Sequence, residues 1–359
     1  MTKPGTRSVA RSMEAGAARI NPDGAEGTSG SAVSIAPDVS EGSLEPGAAE
    51  VSGAPDAGEV SEESVAGEAS EESDAGEASE EAAMPYFQDI EQYLRYLEVE
   101  ESRRPIISYG QEIKGDMLSI GMRGRIVNWL VTASYAIELL DDTVHLAVSY
   151  FDRFLSKRAI SQDRLQLLCV TALFVASKYV EIDHPKAATF SAMTKYTYSK
   201  QQVVKMEADI LICLNFEMGT PTVITFVRMF LTSCCEDNRS LNAKKLKSMC
   251  IYLAELSLLG DCSIKFRPSV VAAACLFVAK FTINPKIRPW SLAVQRNTGY
   301  KVSDIKGCIV DIHNLQSGRK FAVTAIRDKY RVDKFQRVST IIPKKIKESF
   351  LRNIKYANG

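Results

Sequence analysis

The sequence contains few histidines and no long uninterrupted hydrophobic run, and both shortages exclude classes of protein. Its three histidines, His145, His184 and His313, lie far apart, and none has a cysteine or carboxylate at metal-ligand spacing. The most apolar stretch, residues 165–179, is interrupted by polar side chains and is shorter than the roughly 20 residues that span a bilayer. We therefore predict no metal site and no membrane span.

Cysteine pairs and catalytic motifs are also missing. The eight cysteines include no CxxC pair, and the first thirty residues lack the apolar core of a secretory signal, so buried and reduced thiols are expected. The GxGxxG, GxxxxGK(S/T), GxSxG and HExxH motifs do not occur. The sequence therefore predicts no enzyme and no cofactor, and it favours a protein that presents a surface to a partner.

The first 84 residues contain no aromatic residue and no cysteine, and Leu44 is their only leucine. They carry four basic and eighteen acidic side chains, whereas residues 85–359 carry 40 basic and 26 acidic ones. A nine-residue repeat, SEESVAGEA and then SEESDAGEA, begins at Ser61. Such a segment buries too little apolar surface to offset the entropy of ordering, so we predict a disordered acidic low-complexity tail over residues 1–84.

Beyond the tail, apolar residues recur at intervals of three and four, which is typical of helices. In the first half these stripes predict helices over residues 86–97, 122–140, 143–155, 164–179 and 199–214. Ser199 with Gln202 forms the capping box of the last one. Asp141 and Asp142 are expected to cap the third. The stretch 164–179 is apolar nearly all round, which predicts a helix buried by neighbours on every side.

The second half repeats this order, with stripes over residues 223–231, 241–259, 268–281 and 303–315. The string LFVA at Leu173 returns at Leu276, each time inside the most apolar helix of its half. We therefore predict an all-α protein with two tandem five-helix units. The leading helix and first unit cover residues 85–218, the second unit covers 219–340, and a basic extension covers 341–359.

Several segments of both halves resemble the cyclin box of A- and B-type cyclins. In the first half these are MRGRIVNWLV (122–131), SYFDRFLS (149–156), LQLLCVTALFVASKYVE (165–181) and KMEADILICLNF (205–216). In the second half, YLAELSLLGD (252–261), RPSVVAAACLFVA (267–279) and NTGYKVSDIKGCIVDIH (297–313) resemble the carboxy-terminal cyclin fold. Residues 86–105 resemble the family's amino-terminal helix. The long acidic tail and altered motif positions are similar to divergent plant cyclins such as the F-type group.

This resemblance implies a regulatory subunit that binds and activates a cyclin-dependent serine/threonine protein kinase in cell-cycle control. The family's kinase-binding Lys and Glu fall on Lys178 and Glu207. Its buried structural pair falls on Arg123 and Asp152. Further kinase contacts carried over from the family are Leu211, Phe216 and Met218, with Tyr86, Ile90 and Tyr93 from the leading helix.

The family's docking groove for Arg-x-Leu segments of kinase substrates and inhibitors is altered in this sequence. Its positions fall on Met122, Ile126, Trp129 and Gln166. Arg125 stands where the family has an apolar residue, and Thr132 stands where it has a Glu. An added cation and a missing anion should repel a basic segment, so weak or altered docking is expected.

Two alternatives remain open on the sequence. The excess of basic side chains is also compatible with a cyclin-fold transcription factor of the general initiation type, although the zinc ribbon usual in that class is missing. A degenerate cyclin that serves as a scaffold without kinase activation is the other alternative. The kinase-regulator reading is preferred, with no nucleic-acid or membrane partner, and the resemblance implies location in the nucleus and cytoplasm.

Overall fold

In the computed structural model, residues 75–106, 120–234, 241–318 and 325–353 are described, and every regular element in these ranges is helical. Residues 1–74 of the predicted tail lie outside the described ranges. Helix α1 spans Ala75–Leu97 and therefore begins ten residues before the predicted boundary at Pro85. Residues 75–84 of the predicted tail form the first turns of this helix, because Ala and Glu have strong intrinsic helix propensity even without an apolar face.

Five helices follow α1 and form the first repeat. They are α2 (Ile120–Ala136), α3 (Asp141–Lys157), α4 (Leu165–Val180), α5 (Ala187–Met193) and α6 (Lys200–Cys213). Helix α4 contacts each of the other four and is buried without interruption from Leu167 to Ser177. The prediction of a central helix is thus confirmed. Asp141 and Asp142 lie inside the first turn of α3 rather than capping it.

Five further helices and one short turn of helix form the second repeat. They are α7 (Val223–Cys234), α8 (Leu241–Leu259), α10 (Pro268–Ile283), α11 (Leu292–Thr298) and α12 (Val302–Gln316), with α9 (Cys262–Lys265) between α8 and α10. Helix α10 is the central helix here and contacts α7, α8 and α12. The predicted all-α fold of two tandem five-helix units is confirmed. Helices α5 and α11 were not predicted from the sequence, because a helix of two turns is too short to show an apolar stripe.

The leading helix packs against the second repeat, although it precedes the first in sequence. The Arg95 guanidinium donates to the Tyr300 hydroxyl and to the Thr298 carbonyl, each at 2.8 Å. The buried Glu98 carboxylate accepts from the Ser269 backbone N–H at 3.0 Å and from the Ser269 hydroxyl at 2.6 Å. These bonds connect the end of α1 to the end of α11, and connect the residue that follows α1 to the start of α10.

The repeats share one hydrophobic core, and helix α13 (Ala325–Lys329) lies against both α2 and α8. The described part of the predicted basic extension also packs on the protein: Ile346, Phe350 and Leu351 contact the core, whereas Lys344 and Lys347 face solvent. The seven cysteines of the described ranges are free, and six of them are buried. Across the described residues, no helix combines the length and apolarity needed to cross a membrane.

Candidate functional site

Lys178 and Glu207 meet as an ion pair between the last turn of α4 and the second turn of α6. Lys178 Nζ lies 2.6 Å from Glu207 Oε1, and the exposed fractions of the two side chains are 42% and 13%. The Lys178 ammonium also lies 5.2 Å from the centroid of the Phe174 ring. An ammonium has three donors, so bonding to Glu207 leaves further donors available to an incoming partner.

Several apolar side chains on α4, α6 and the turn after α6, the elements that carry or follow this ion pair, are exposed or half-buried. Tyr179 and Phe216 are 59% and 67% exposed, and Ile212 on α6 is 58% exposed. Leu211 and Met218 are half-buried and pack partly against the core. We name this set, with Lys178 and Glu207, the Lys178 surface. A group of large apolar side chains left in water around one ion pair is typical of a protein interaction site.

The turn after α6 holds Phe216 outward with a strained backbone. Asn215 and Phe216 have φ values of +51° and +57°, in the left-handed region that favours glycine. Such conformations cost roughly 1–3 kcal/mol each and persist only where surrounding contacts impose them. One of these contacts is the bond from the Phe216 backbone N–H to the Leu211 carbonyl, at 2.9 Å.

Two buried side chains of α3 donate hydrogen bonds to backbone carbonyls of this turn. The Tyr150 hydroxyl donates to the Met218 carbonyl at 3.0 Å, and Arg153 Nη2 donates to the Glu217 carbonyl at 2.9 Å. Both side chains are fully buried, and burial raises the pKa of Tyr150 and lowers that of Arg153. Arg103 donates to the Gly219 carbonyl from a third direction. The turn is thus bonded at three successive carbonyls.

The hydroxyl end of the Tyr179 side chain, which is part of the Lys178 surface, lies next to Gly219. A Cβ atom added to Gly219 would lie 2.7 Å from the Tyr179 hydroxyl oxygen, which is closer than real Cβ contacts. Tyr179, Gly219, Tyr150 and Arg153 were not identified from the sequence as parts of this site. Tyr179 directly follows Lys178, and that adjacency was the available signal; the other three become recognisable only through contacts with distant segments.

Tyr86, Ile90 and Tyr93 lie on one exposed stripe of α1, at exposed fractions of 67%, 53% and 60%. Their spacing of four and three places them on one helix face. An adjacent face of α1 packs on the core through Leu94, and Leu97, which continues the stripe at the end of the helix, is buried. The structure therefore leaves this stripe available for contact, on a helix that is anchored to the second repeat.

Arg123 and Asp152 form the buried pair that the resemblance implied. Arg123 Nε lies 2.8 Å from Asp152 Oδ1, and Arg123 Nη2 lies 2.6 Å from Asp152 Oδ2. Both side chains are at most 3% exposed. Arg123 Nη1 also donates to the carbonyls of Leu258 and Gly260, at 2.6 and 2.8 Å. The pair therefore joins α2 to α3 and joins both to the second repeat.

The residues assigned to the docking groove are mostly covered. Ile126 is fully buried in the core, and its assignment to the groove stays a prediction. Met122 and Trp129 keep exposed fractions of only 8% and 7%, and Gln166 is half-buried. Arg125 is exposed, whereas the hydroxyl of Thr132 donates to the Asn128 carbonyl at 3.0 Å.

Sequence comparison accounts for almost all of the folded chain. The profile of the cyclin N-terminal domain matches residues 89–219, and the profile of the cyclin C-terminal domain matches residues 221–344. The junction between these matches lies directly before α7, where the second repeat begins.

Similar proteins include several plant cyclins. Putative cyclin-F3-2 of Oryza sativa subsp. japonica is 57% identical over 295 residues, which cover 77% of this chain and 72% of that protein. Cyclin-A3-1 of the same plant is 48% identical over 260 residues, which cover 72% of this chain and 69% of that protein. G2/mitotic-specific cyclin C13-1 of Daucus carota is 44% identical over 271 residues, which cover 75% of this chain and 79% of that protein.

A solved structure shares the fold at low sequence identity. A viral cyclin from herpesvirus saimiri superposes with a TM-score of 0.54 and 16% identity, covering 64% of this chain and 96% of that one. The tandem repeats, the two profile matches and the plant relatives agree with one another. The chain therefore belongs to the cyclin family.

Proposed function

We propose that this cyclin binds a cyclin-dependent serine/threonine protein kinase through the Lys178 surface and activates it in cell-cycle control. Cyclins are regulatory subunits of kinases and not enzymes themselves. The observation that carries the proposal is the Lys178–Glu207 ion pair, held at 2.6 Å within a rim of exposed apolar side chains. The stripe of Tyr86, Ile90 and Tyr93 adds a second contact region.

Activation follows from differential affinity. A cyclin that contacts the active arrangement of its kinase more strongly than the inactive one raises the population of the active state. The rigid turn that holds Phe216 outward supports this role, because a preformed anchor loses little entropy on binding. The remaining donors of Lys178 are suited to unpaired carbonyl groups at the end of a kinase helix, which would set the register of an otherwise apolar contact.

Reconstitution of the full chain with a panel of cyclin-dependent kinases tests this proposal. The measurement is phosphate transfer to a histone substrate, together with complex formation by pull-down. We expect the wild-type chain to stimulate transfer and Lys178→Ala/Glu207→Ala or Phe216→Ala to reduce affinity by about 10- to 100-fold, as loss of an interface anchor typically does.

The matched control is Lys306→Ala/Glu348→Ala, which removes an exposed ion pair of 3.0 Å between α12 and the carboxy-terminal segment. This variant should bind and activate like the wild type. Binding without stimulation would favour the scaffold alternative, and salt-dependent DNA binding without any kinase complex would favour the transcription-factor alternative. Unchanged activation by the Lys178→Ala/Glu207→Ala variant would contradict the proposed site.

The proposal includes two further parts that rest on the family. Docking of substrates or inhibitors in the groove should be weak, because Arg125 is exposed beside the covered groove residues. We also propose location in the nucleus and cytoplasm, which a fluorescent fusion of the full chain would test. The exposed Lys344, Lys345 and Lys347 are the side chains to replace if nuclear import depends on the carboxy-terminal segment.

A further inference from the structure

Helix α13 is held by one lysine that contacts a carboxylate of each repeat. Lys329 Nζ lies 2.9 Å from Asp141 Oδ1 at the start of α3, and it also donates to Glu255 Oε1 on α8. The Lys329 and Glu255 side chains are 8% and 0% exposed, and that of Asp141 is 24% exposed. A single buried ammonium therefore connects this short helix to both repeats.

The charges of this cluster do not balance when both carboxylates are ionised. Two carboxylates then share one ammonium, and an uncompensated negative charge in a buried site costs free energy. Glu255 Oε2 is buried and has no hydrogen-bond partner among the described residues. Binding of one proton by Glu255 would remove the excess charge and would turn this carboxyl group into a donor.

Asp141 is the acceptor that such a donor would use. A hydrogen bond between two carboxyl groups requires a proton on one of them. Contact between these two groups raises the pKa of Glu255 and lowers that of Asp141, so the proton resides on Glu255. Asp141 then keeps the charge that pairs with Lys329.

Tyrosines of three helices pack around this cluster. The Tyr330 hydroxyl of α13 donates to Glu255 Oε1 at 3.0 Å. The centroid of the Tyr135 ring on α2 lies 5.7 Å from Lys329 Nζ, and the Tyr252 ring on α8 lies 5.3 Å from that of Tyr330. Burial raises the pKa of both Tyr252 and Tyr330. These two hydroxyls therefore keep their protons near pH 7 and add no charge.

The other titratable groups of α3 do not neutralise Glu255 either. Asp142 lies 2.5 Å from Arg228 of α7, which compensates its charge. Burial lowers the pKa of the His145 imidazole to about 4, so this ring is neutral near pH 7. Among the described residues, Lys329 is the one cation that bonds to Asp141 or Glu255.

Glu255 is the member of this cluster that titrates near neutral pH. Desolvation raises its pKa to about 7, although the charge of Lys329 acts in the opposite direction. Desolvation would also raise the pKa of Asp141, but Lys329 outweighs it and the pKa is lowered. For Lys329 itself, the two carboxylates outweigh desolvation and raise the pKa. Asp141 and Lys329 therefore keep their charges between pH 6 and pH 8.

We propose that Glu255 is the proton-binding group of a pH-sensitive latch, in which one proton shared with Asp141 holds α13 across both repeats. With the proton bound, the cluster has no excess charge and the carboxyl group of Glu255 donates to Asp141. Loss of the proton leaves the buried site negative and weakens the closed state. Local opening of α13 then lets water reach the Glu255 carboxylate. This inference does not depend on kinase binding.

The direction of the pH effect follows from the two states of Glu255. Its pKa is about 7 in the closed state, and it returns towards the ordinary value of 4.5 when opening exposes the carboxyl group to water. An acid with a raised pKa in the closed state stabilises that state at low pH, and this stabilisation is lost as the pH rises from about 4.5 to 7. From this difference, the opening equilibrium constant should increase about tenfold between pH 6 and pH 8.

Hydrogen–deuterium exchange of the full chain tests the proposal, read by mass spectrometry over residues 325–330 and corrected for intrinsic exchange rates. Between pH 6 and pH 8, the opening constant of the wild type should increase about tenfold more than that of Glu255→Gln, because the Gln side chain is neutral throughout. A contribution of His145 is common to both proteins and cancels. The matched control is Glu348→Gln, which removes a carboxylate that is 64% exposed and should leave the wild-type response unchanged.

The wild type alone provides a second measurement, which keeps the test informative if Glu255→Gln folds poorly. In protein labelled with carbon-13 at the glutamate carboxyl groups, one resonance should titrate near pH 7, whereas exposed glutamates titrate near pH 4.5. That resonance should be missing from Glu255→Gln and present in Glu348→Gln.

Three results would overturn the proposal. The first is titration of every glutamate carboxyl group below about pH 5.5, since Glu255 would then be ionised at neutral pH. The second is an equal pH dependence of α13 opening in the wild type and Glu255→Gln. The third is a resonance that titrates near pH 7 without any pH dependence of α13 exchange, because Glu255 would then bind a proton without operating a latch.

Discussion

His145 makes the stability of this cyclin sensitive to mild acid. Its buried imidazole has a pKa of about 4, compared with 6.5 for the free side chain, and burial is the main cause. The charges of Asp141 and Asp142 raise this pKa, whereas those of Lys329 and Arg228 lower it. Because the unfolded chain binds a proton near pH 6.5 and the folded chain does not, stability falls as the pH is lowered from about 6.5 to 4.

His145→Gln should remove this contribution. Between pH 7 and pH 5 we expect the variant to lose about 2 kcal/mol less of its free energy of unfolding than the wild type, from the difference in pKa. Urea unfolding at both pH values measures this. The buried Glu255, whose pKa is raised by desolvation, titrates in both proteins and cancels in the comparison. An identical pH dependence in the two proteins would refute the prediction.

Two further single residues, Arg125 and Thr132, stand at positions of the predicted docking groove where the family resemblance implies an apolar residue and a Glu. Arg125 is exposed, so it can repel a basic peptide, and Thr132 supplies no carboxylate to pair with the peptide's Arg. Arg125→Ile/Thr132→Glu should therefore bind an Arg-x-Leu peptide about tenfold more tightly than the wild type, in fluorescence anisotropy titrations. Arg331→Ile is the control for loss of one exposed cation. Equal peptide affinity of both variants and the wild type would show that the charges at these positions do not weaken docking.

At the scale of elements, the turn after α6 depends on helix α3. Tyr150 and Arg153 lie one turn apart on α3 and bond the carbonyls of Met218 and Glu217. Helix α3 is in turn fixed by α4, which it contacts along its length. The exposed anchor of the Lys178 surface is thus held by the buried core of the first repeat.

Tyr150→Phe should weaken this support. Removing the hydroxyl leaves the Met218 carbonyl without this donor, so the free energy of unfolding should fall by about 1–2 kcal/mol. Kinase affinity should fall with it if the turn loses its geometry. Tyr196→Phe is a suitable control, because that side chain is 77% exposed. Equal stability of Tyr150→Phe and the wild type in denaturant unfolding would show that the turn does not need this bond.

At the scale of the whole molecule, Arg123 connects the repeats. Its guanidinium bonds Asp152 in the first repeat and the carbonyls of Leu258 and Gly260 in the second. The buried cation therefore stabilises the relative placement of both halves as well as the pairing of α2 with α3. Helix α13 adds a second connection, through contacts with α2 and α8.

Arg123→Ala should destabilise the whole molecule, because it leaves the buried Asp152 carboxylate unpaired. We expect a loss of about 3–5 kcal/mol, the usual cost of breaking a buried ion pair from one side. Denaturant unfolding followed by circular dichroism measures it. Lys306→Ala, which breaks an exposed pair, should change stability by less than about 1 kcal/mol. A similarly small effect of Arg123→Ala would show that the repeats are held together elsewhere.

Local patterns predicted individual elements well where the deciding contacts are close in sequence. The Ser199–Gln202 capping box is present, with the Ser199 N–H donating to Gln202 Oε1 at 2.8 Å, because both partners lie within one turn. Asp141 failed as a predicted cap because α3 begins earlier than predicted, which puts Leu140 at the N-cap position and Asp141 inside the first turn. The complete burial of Ile126 was not predicted from the motif, because burial depends on the helices that cover a residue.

The sequence by itself determined the helical class, the repetition of five helices and the family positions of Lys178 and Glu207, because periodicity, caps and motifs are local properties. Only the tertiary structure decided which side chains meet. It joined Lys178 to Glu207, placed Tyr150 and Arg153 beneath the Phe216 turn, and brought Asp141 and Glu255 to the ammonium of Lys329. Such contacts depend on how helices distant in sequence pack together, and a local pattern does not specify that packing.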